Sequence, residues 1–225
     1  MEQLTLFGSP VARRPIIRRK RIESRKPVQA DLWSQVSEPD RFMALLFLDI
    51  RNFTPLAEKH EPGQVVHMIQ RLFSSFQRII HVYHGRVIET TGDGLYAAFG
   101  FGEAPGNAVE SAVAAGRAIF AALNSMNNHT TDERIQVGIG IHAGKVATGM
   151  IRIHSRTHYI VMGHAVNVAS RIQSATKELN NDFIVSRDVF DQLSLPNVKA
   201  TRRKARLKGL REEFELCLIG KPYDH

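Results

Sequence analysis

The sequence predicts an α+β fold with a ferredoxin-like βαββαβ core, followed by additional C-terminal strands and helices. Three observations carry this prediction. Residues 43–48 form an uninterrupted apolar run, as expected for a strand that is buried on both faces. Residues 64–82 place apolar side chains at the three-and-four spacing of a helix that packs on a core. Residues 86–91 and 95–99 flank a Gly-Asp-Gly turn, which is typical of a β-hairpin.

The remaining elements follow in chain order. Residues 107–123 are rich in alanine and predict a second helix, and residues 135–142 alternate in polarity as a strand does, which completes the core. Beyond the core the pattern predicts strands at 145–151 and 158–162, a helix at 165–178, a strand at 183–185, and a hairpin of 199–207 with 213–219 around Lys208 and Gly209.

The first 40 residues differ in composition from the rest of the chain. They contain four prolines, show little periodicity and include the basic run RRPIIRRKRIESRK at 13–26, which contributes to the net charge of +8. Runs of like charge are usually solvated, and no aromatic residues alternate with the basic ones here, so nucleic-acid binding is not expected. We predict an irregular basic arm at 1–40 and one folded domain at 41–220.

Cysteine content and hydropathy indicate the compartment. The single cysteine excludes an internal disulfide and fits a reducing environment. No apolar run approaches the roughly 20 residues of a membrane span, and the N-terminus lacks a basic segment followed by an apolar one. The sequence therefore predicts a soluble, cytoplasmic protein without a transmembrane segment.

Two carboxylates lie where strands of the predicted core end. Asp49 closes the first strand and Asp93 occupies the hairpin turn, and in a βαββαβ core these places converge. A single aspartate at such a position is most often structural, but a pair indicates a site for a hard divalent ion completed by substrate phosphate. Farther along, Asn167 and Arg171 are four residues apart on one helix face, where an amide and a guanidinium suit a phosphoryl transition state.

Five segments decide among these possibilities jointly. They are LFLDIRNFTPLAE, TTGDGLYAAFG, VGIGIHAGKVATG, YIVMGHAVNVASR and RLKG, in this order. Together, over about residues 41–219, they resemble the catalytic domain of the class III nucleotidyl cyclases, the adenylate and guanylate cyclase family. The resemblance implies conversion of a nucleoside triphosphate to a 3′,5′-cyclic nucleotide and pyrophosphate with two divalent metal ions, Mg²⁺ or Mn²⁺. It also implies a homodimer whose two active sites are shared between the protomers.

The resemblance assigns roles to individual residues. By resemblance, the metal ligands are Asp49, Asp93 and the carbonyl of Ile50, and the backbone amides of Asn52, Phe53 and Thr54 bind the β- and γ-phosphates. Asn167 and Arg171 contact the ribose and the pentavalent phosphorus, and Lys208 binds the triphosphate. The metal ligands come from one protomer and the last three side chains from the other. Many relatives have glycine where this chain has Asn52, and asparagine also accepts unusual backbone angles.

The residues that read the base match neither common pattern. By resemblance, adenylate cyclases usually have Lys at the position of Glu89 with Asp or Thr at that of Ile160, and guanylate cyclases have Glu and Cys. Glu89 accepts hydrogen bonds, and Ile160 offers no polar side-chain atom.

Two interpretations fit this pair best. One is a pyrimidine cyclase making cUMP or cCMP from UTP or CTP, like the stand-alone bacterial enzymes of anti-phage signalling. The other is a guanylate cyclase with an altered second contact, and ATP also remains open as the substrate. A catalytically silent regulatory module is disfavoured because no catalytic position is lost. We expect His164, where Asp or Asn is common, to be structural.

Overall fold

The computed structural model describes residues 36–102, 105–128, 134–153, 156–194 and 198–223, so most of the predicted arm lies outside the described residues. In chain order the elements are β1 (Val36–Ile50), α1 (Phe53–Glu58), α2 (Pro62–Val82), β2 (Arg86–Thr91), β3 (Gly94–Phe99), α3 (Pro105–Asn128), β4 (Val137–Ile153), β5 (Arg156–Met162), α4 (His164–Glu178), β6 (Phe183–Ser186), α5 (Arg187–Asp191), β7 (Thr201–Arg206) and β8 (Glu213–Leu218).

The described strands form one sheet of eight. Its order is β2-β3-β1-β4-β6-β8-β7, and β5 pairs with β4 outside this path. β1 lies between β3 and β4 and is antiparallel to both. The order β2-β3-β1-β4, with helices α2 and α3 in the crossovers, is that of a ferredoxin-like core, and the predicted fold is confirmed.

Strand β1 is buried on both faces because each face meets a different layer. Leu46 and Leu48 belong to the main core with α2 and α3. Met43 and Leu45 point the other way, into a second apolar cluster with residues of α4. Since side chains alternate along a strand, Asp49 shares the face of Met43 and Leu45. The end of β1 therefore directs its carboxylate to the side of the sheet that α4 covers.

Helix α2 begins where a capping box satisfies its first turn. The backbone amide of Glu61 donates to Oε1 of Gln64 (3.2 Å), and the Glu61 side chain accepts from the third helical residue in return. Leu72, Phe76 and Ile80 are buried at helical spacing against the sheet. This packing fixes the crossover that brings the β2–β3 hairpin beside β1.

Two predicted strands, 135–142 and 145–151, are in fact one strand, β4. Ala143 and Gly144 join them, and both stay in the ladder with β1, opposite Ala44 and Met43. Small residues between two apolar runs suggested a turn, but pairing along β1 keeps the backbone extended. β1 itself begins at Val36, with register shifts that hid its start from the periodicity.

The helices α1 and α5 were not predicted, because six and five residues are too few to show a helical period. Helix α3 extends the predicted helix at both ends. Among the described residues no helix is both long enough and apolar enough to cross a lipid bilayer.

Candidate active site

The structure brings Asp49 and Asp93 together. Asp49 is the penultimate residue of β1 and lies opposite Gly94 of β3, and Asp93 lies in the adjoining hairpin turn. Both side chains are half-buried and line one cleft. Burial, and after it the negative charge of Asp93, raise the pKa of Asp49 to about 6. The fold thus holds a second carboxylate beside Asp49, whose ionised form is disfavoured.

The loop after β1 turns sharply at Asn52. This residue has φ 51° and ψ 35°, in the left-handed region, and it caps the short helix α1. The expectation that Asn52 accepts an unusual backbone conformation is confirmed. Phe53 and Thr54 follow directly, and all three residues line the cleft of the two aspartates.

Five residues that the sequence did not single out complete the cleft. They are Arg51 from the loop, Pro55 from α1 and, from α4, Gln173, Ser174 and Lys177. The positive charges of Arg51 and Lys177 partly oppose the rise in the pKa of Asp49. A helical period alone does not show which polar face of α4 meets β1, so only the packing of the helix could reveal these residues.

Three predicted residues lie elsewhere. Asn167 and Arg171 are exposed on α4 and do not line the cleft of the aspartates. Lys208 is exposed in the turn between β7 and β8, beside Gly209 with its positive φ of 82°. One chain therefore does not bring the two predicted halves of the active site together.

Glu89 and Ile160 lie on strands that contact each other. Glu89 is exposed on β2 opposite Tyr96 of β3, and Ile160 is half-buried on β5. β2 and β5 are in contact, so the two residues lie on neighbouring strands. The ring of Tyr96 stacks on Phe47 with centroids 4.4 Å apart. Burial raises the pKa of Tyr96, and the charges of Glu89 and Tyr159 raise it further.

The comparison with known families decides the class of the protein. Residues 36–220 match the family model for the adenylate and guanylate cyclase catalytic domain. The chain belongs to this family. The predicted class III cyclase domain is confirmed.

Relatives of this cyclase domain include enzymes of both purine types. An adenylate cyclase of Anabaena cylindrica is 32% identical over 186 residues, covering 78% of this chain and 36% of that protein. The receptor-type guanylate cyclase gcy-6 of Caenorhabditis elegans is 34% identical over 149 residues, covering 64% of this chain and 13% of the relative. The chain thus spans much less than half the length of these relatives.

Solved structures of cyclases share the fold of the domain. The adenylyl cyclase CyaB of P. aeruginosa superposes with a TM-score of 0.72 at 19% identity, over 83% of this chain and 96% of that one. The guanylyl cyclase Cya2 also gives a TM-score of 0.72, at 26% identity, over 82% of this chain and 94% of that one.

The cleft of the cyclase domain has too few ligands to enclose a metal ion alone, and it suits an ion whose remaining ligands are substrate phosphate oxygens. Among the described residues, no three His, Cys, Asp or Glu side chains are placed to hold a metal ion. Asp49 and Asp93 provide two carboxylates, and the carbonyl of Ile50 can add a third oxygen. This is the donor set of Mg²⁺ or Mn²⁺ bound through a few protein oxygens with phosphate completing the shell.

Proposed function

We propose that this chain is the catalytic unit of a nucleotidyl cyclase that forms a 3′,5′-cyclic nucleotide and pyrophosphate from a nucleoside triphosphate. The observation that carries the proposal is the shared cleft of Asp49 and Asp93 beside the Asn52 turn. A pair of half-buried carboxylates next to a polar loop is suited to a metal-bound triphosphate.

Asp49, Asp93 and the carbonyl of Ile50 would hold two divalent ions, Mg²⁺ or Mn²⁺. When bound, such ions acidify the ribose 3′-hydroxyl and neutralise the departing pyrophosphate. The backbone amides of Asn52, Phe53 and Thr54 face the β- and γ-phosphates. The ammonium of Lys177 adds positive charge to the same cleft.

The partner protomer would contribute the other half of the site. Asn167 of the partner subunit orients the ribose, the partner's Arg171 stabilises the charge on the α-phosphorus, and the partner's Lys208 binds the triphosphate. The 3′-oxygen forms its bond to the α-phosphorus as the bond to the bridging oxygen of the β-phosphate breaks. The hydroxyl proton leaves to solvent with no side chain assigned as base.

Exposed apolar side chains support a homodimer. Met150 on β4 and Met162 on β5 are 41% and 56% exposed, although both are large and hydrophobic. They lie where β4 and β5 pair, at 147–153 and 156–162, and this β4–β5 extension also carries Ile160. A homodimer that buries the β4–β5 extension in a two-fold interface would remove them from water and complete two equivalent sites.

For the base we propose a pyrimidine, so that the product is cUMP or cCMP and serves anti-phage signalling. Glu89 can accept from the N3–H of uracil or the amino group of cytosine, and Ile160 supplies an apolar wall. The alternatives are GTP and ATP in general signalling, and Glu89 is also the residue that guanylate cyclases use. ATP fits an acceptor at this position less well.

The deciding experiment is to incubate the protein separately with ATP, GTP, CTP and UTP in Mn²⁺ and to identify the products by mass. We expect cUMP or cCMP as the main product, and none from Asp93→Asn. A main product of cGMP or cAMP would contradict the base assignment and support the chemistry. A folded protein that forms no cyclic product from any of the four contradicts the catalytic proposal.

A further inference from the structure

The guanidinium of Arg51 lies at the back of the active-site cleft and bonds to two hydroxyl groups. Its Nη2 donates to Oγ1 of Thr176, and it donates to the hydroxyl of Tyr223 at 2.7 Å. The guanidinium also stacks on the Tyr223 ring, 4.3 Å from its centroid. Arg51 stands in the chain between Ile50 and Asn52, so this contact holds the backbone that carries a metal-binding carbonyl and the phosphate loop.

Strand β4 leaves room for this cluster only because residue 138 is glycine. Gly138 pairs with Asp49 across the β1–β4 ladder. A Cβ at position 138 would lie 2.5 Å from Oγ1 of Thr176, 2.6 Å from the Tyr223 hydroxyl and 3.0 Å from Nη2 of Arg51. The three side chains therefore pack directly on the backbone opposite the first metal-binding aspartate.

Tyr223 is held in place by the segment that follows β8. The amide of Lys221 donates to Oδ1 of Asp182 (2.7 Å), and its carbonyl accepts from the amide of Asp182 (2.8 Å). The amide of Tyr223 donates to Oδ1 of Asn180 (3.2 Å). These bonds fasten the segment to the loop between α4 and β6, so Tyr223 meets Arg51 from a fixed backbone.

We propose that Arg51 is a positioning residue for the metal and phosphate half of the active site, and that Thr176 and Tyr223 hold it. The inference rests on the proposed function of this cleft. Thr176 is fully buried on α4, and Tyr223 approaches from the far end of the chain. Together they fix the direction of the Ile50 carbonyl and the left-handed turn at Asn52.

A purely stabilising role in the fold explains the contacts of Arg51 poorly. Both partners of the guanidinium are uncharged hydroxyls, so its positive charge persists beside Asp49. Within the described part of the chain, the buried Nε of Arg51 has no hydrogen-bond partner, which costs free energy. Because the guanidinium of Arg51 is held by these hydroxyls and makes no ion pair with Asp49, both aspartates stay available to a metal ion. Its positive charge also attracts the triphosphate.

The first test measures metal binding without nucleotide. Tyr223→Phe keeps the ring and removes the hydroxyl, and Tyr83→Phe makes the same change at a half-buried tyrosine on the far side of the core. We expect Tyr223→Phe to weaken Mn²⁺ binding by about tenfold in an EPR titration, as for other residues that orient metal ligands. Its melting temperature should match that of Tyr83→Phe. Unchanged Mn²⁺ affinity would overturn the inference.

A lysine substitution separates charge from geometry. Arg51→Lys keeps the positive charge but lacks the planar fork that bonds Thr176 and stacks on Tyr223. We expect it to weaken Mn²⁺ binding at least as much as Tyr223→Phe does. Full Mn²⁺ affinity in Arg51→Lys would mean that charge alone is needed, and the positioning role would be wrong.

The second test uses mixed dimers purified through two different affinity tags. One chain carries Arg171→Ala and the other Asp93→Asn, so the single intact site takes its aspartates from the first chain. Tyr223→Phe in the first chain should lower turnover by about tenfold at limiting Mn²⁺, and in the second chain it should have no effect. Equal losses in both chains would indicate a general structural role and overturn the inference. Inactive mixed dimers would contradict the shared active sites, while the Mn²⁺ titration would still decide the role of Arg51.

Discussion

The backbone amide of Ile50 donates a hydrogen bond of 3.1 Å to the carbonyl oxygen of Asp93. This bond ties the end of β1 to the turn of the β2–β3 hairpin. The carboxylates of Asp49 and Asp93 are therefore brought to one cleft by backbone pairing rather than by a ligand. The two negative charges repel each other, and a divalent cation bound between them would relieve that repulsion.

Replacing Asp49 by asparagine should abolish turnover in Mg²⁺ or Mn²⁺ while raising the melting temperature of the metal-free protein. The amide keeps the shape of the side chain and removes its repulsion with Asp93. Differential scanning fluorimetry with and without Mn²⁺ checks this, and the stabilisation by Mn²⁺ should disappear. Glu213→Gln, on β8, is the charge-matched control. Residual activity near that of the parent would rule out Asp49 as a metal ligand.

Replacing Glu89 by lysine should change which nucleotide is used. A donor in place of an acceptor leaves the N–H groups of the preferred base unpaired, so the ratio of kcat/KM values between nucleotides should shift by at least about tenfold. Thr90→Lys places a lysine on the opposite face of β2 and should leave the ratio unchanged. If both variants keep the parental preference, Glu89 does not read the base.

Replacing Lys177 by methionine should raise the KM for the nucleotide by about tenfold, because a charged hydrogen bond to phosphate is lost. Lys177→Arg should retain most of the affinity, since it keeps the charge. Lys145→Met removes an exposed lysine near Asp40 and should change the KM little. Steady-state kinetics at saturating Mn²⁺ gives the three values. An unaltered KM in Lys177→Met would place the triphosphate away from α4.

The free energy of unfolding should depend on pH through His142. This residue is buried on β4 with Nδ1 2.8 Å from Oγ of Ser186, and burial lowers its pKa from 6.5 to about 4. Between those values the unfolded chain binds a proton that the folded chain does not. The contribution of His142 to the free energy of unfolding should therefore fall as the solution is acidified, by about 2 kcal/mol from pH 6.5 to pH 5.

Urea denaturation at several pH values measures this effect as a difference between the parent and His142→Gln. The difference is needed because Asp49, with its raised pKa, contributes the opposite slope over part of the same range. Parallel pH profiles for the two proteins would show that His142 titrates normally in the folded state.

Much of the fold could be predicted because its elements are long and periodic. The uninterrupted apolar run at 43–48 reflects burial against two layers, and the spacing of Leu72, Phe76 and Ile80 reflects one core-facing stripe. The pairing of Asp49 with Asp93 was also predictable, since it follows from the connectivity of a βαββαβ core.

The rest of the cleft depends on contacts distant in sequence. Lys177 reaches it through the packing of α4, and Arg51 is fixed by Thr176 and Tyr223, which lie 125 and 172 residues away. No local pattern encodes such contacts. The continuity of β4 was missed for a related reason, because pairing with β1 overrides the weak strand preference of Ala143 and Gly144.

That continuity joins the cleft of the aspartates to the β4–β5 extension. From Gly138, opposite Asp49, to Met150 in that extension, β4 spans about 40 Å of uninterrupted strand. No loop lies between these two residues, so a single strand backbone connects the exposed Met150 to the position opposite the first carboxylate.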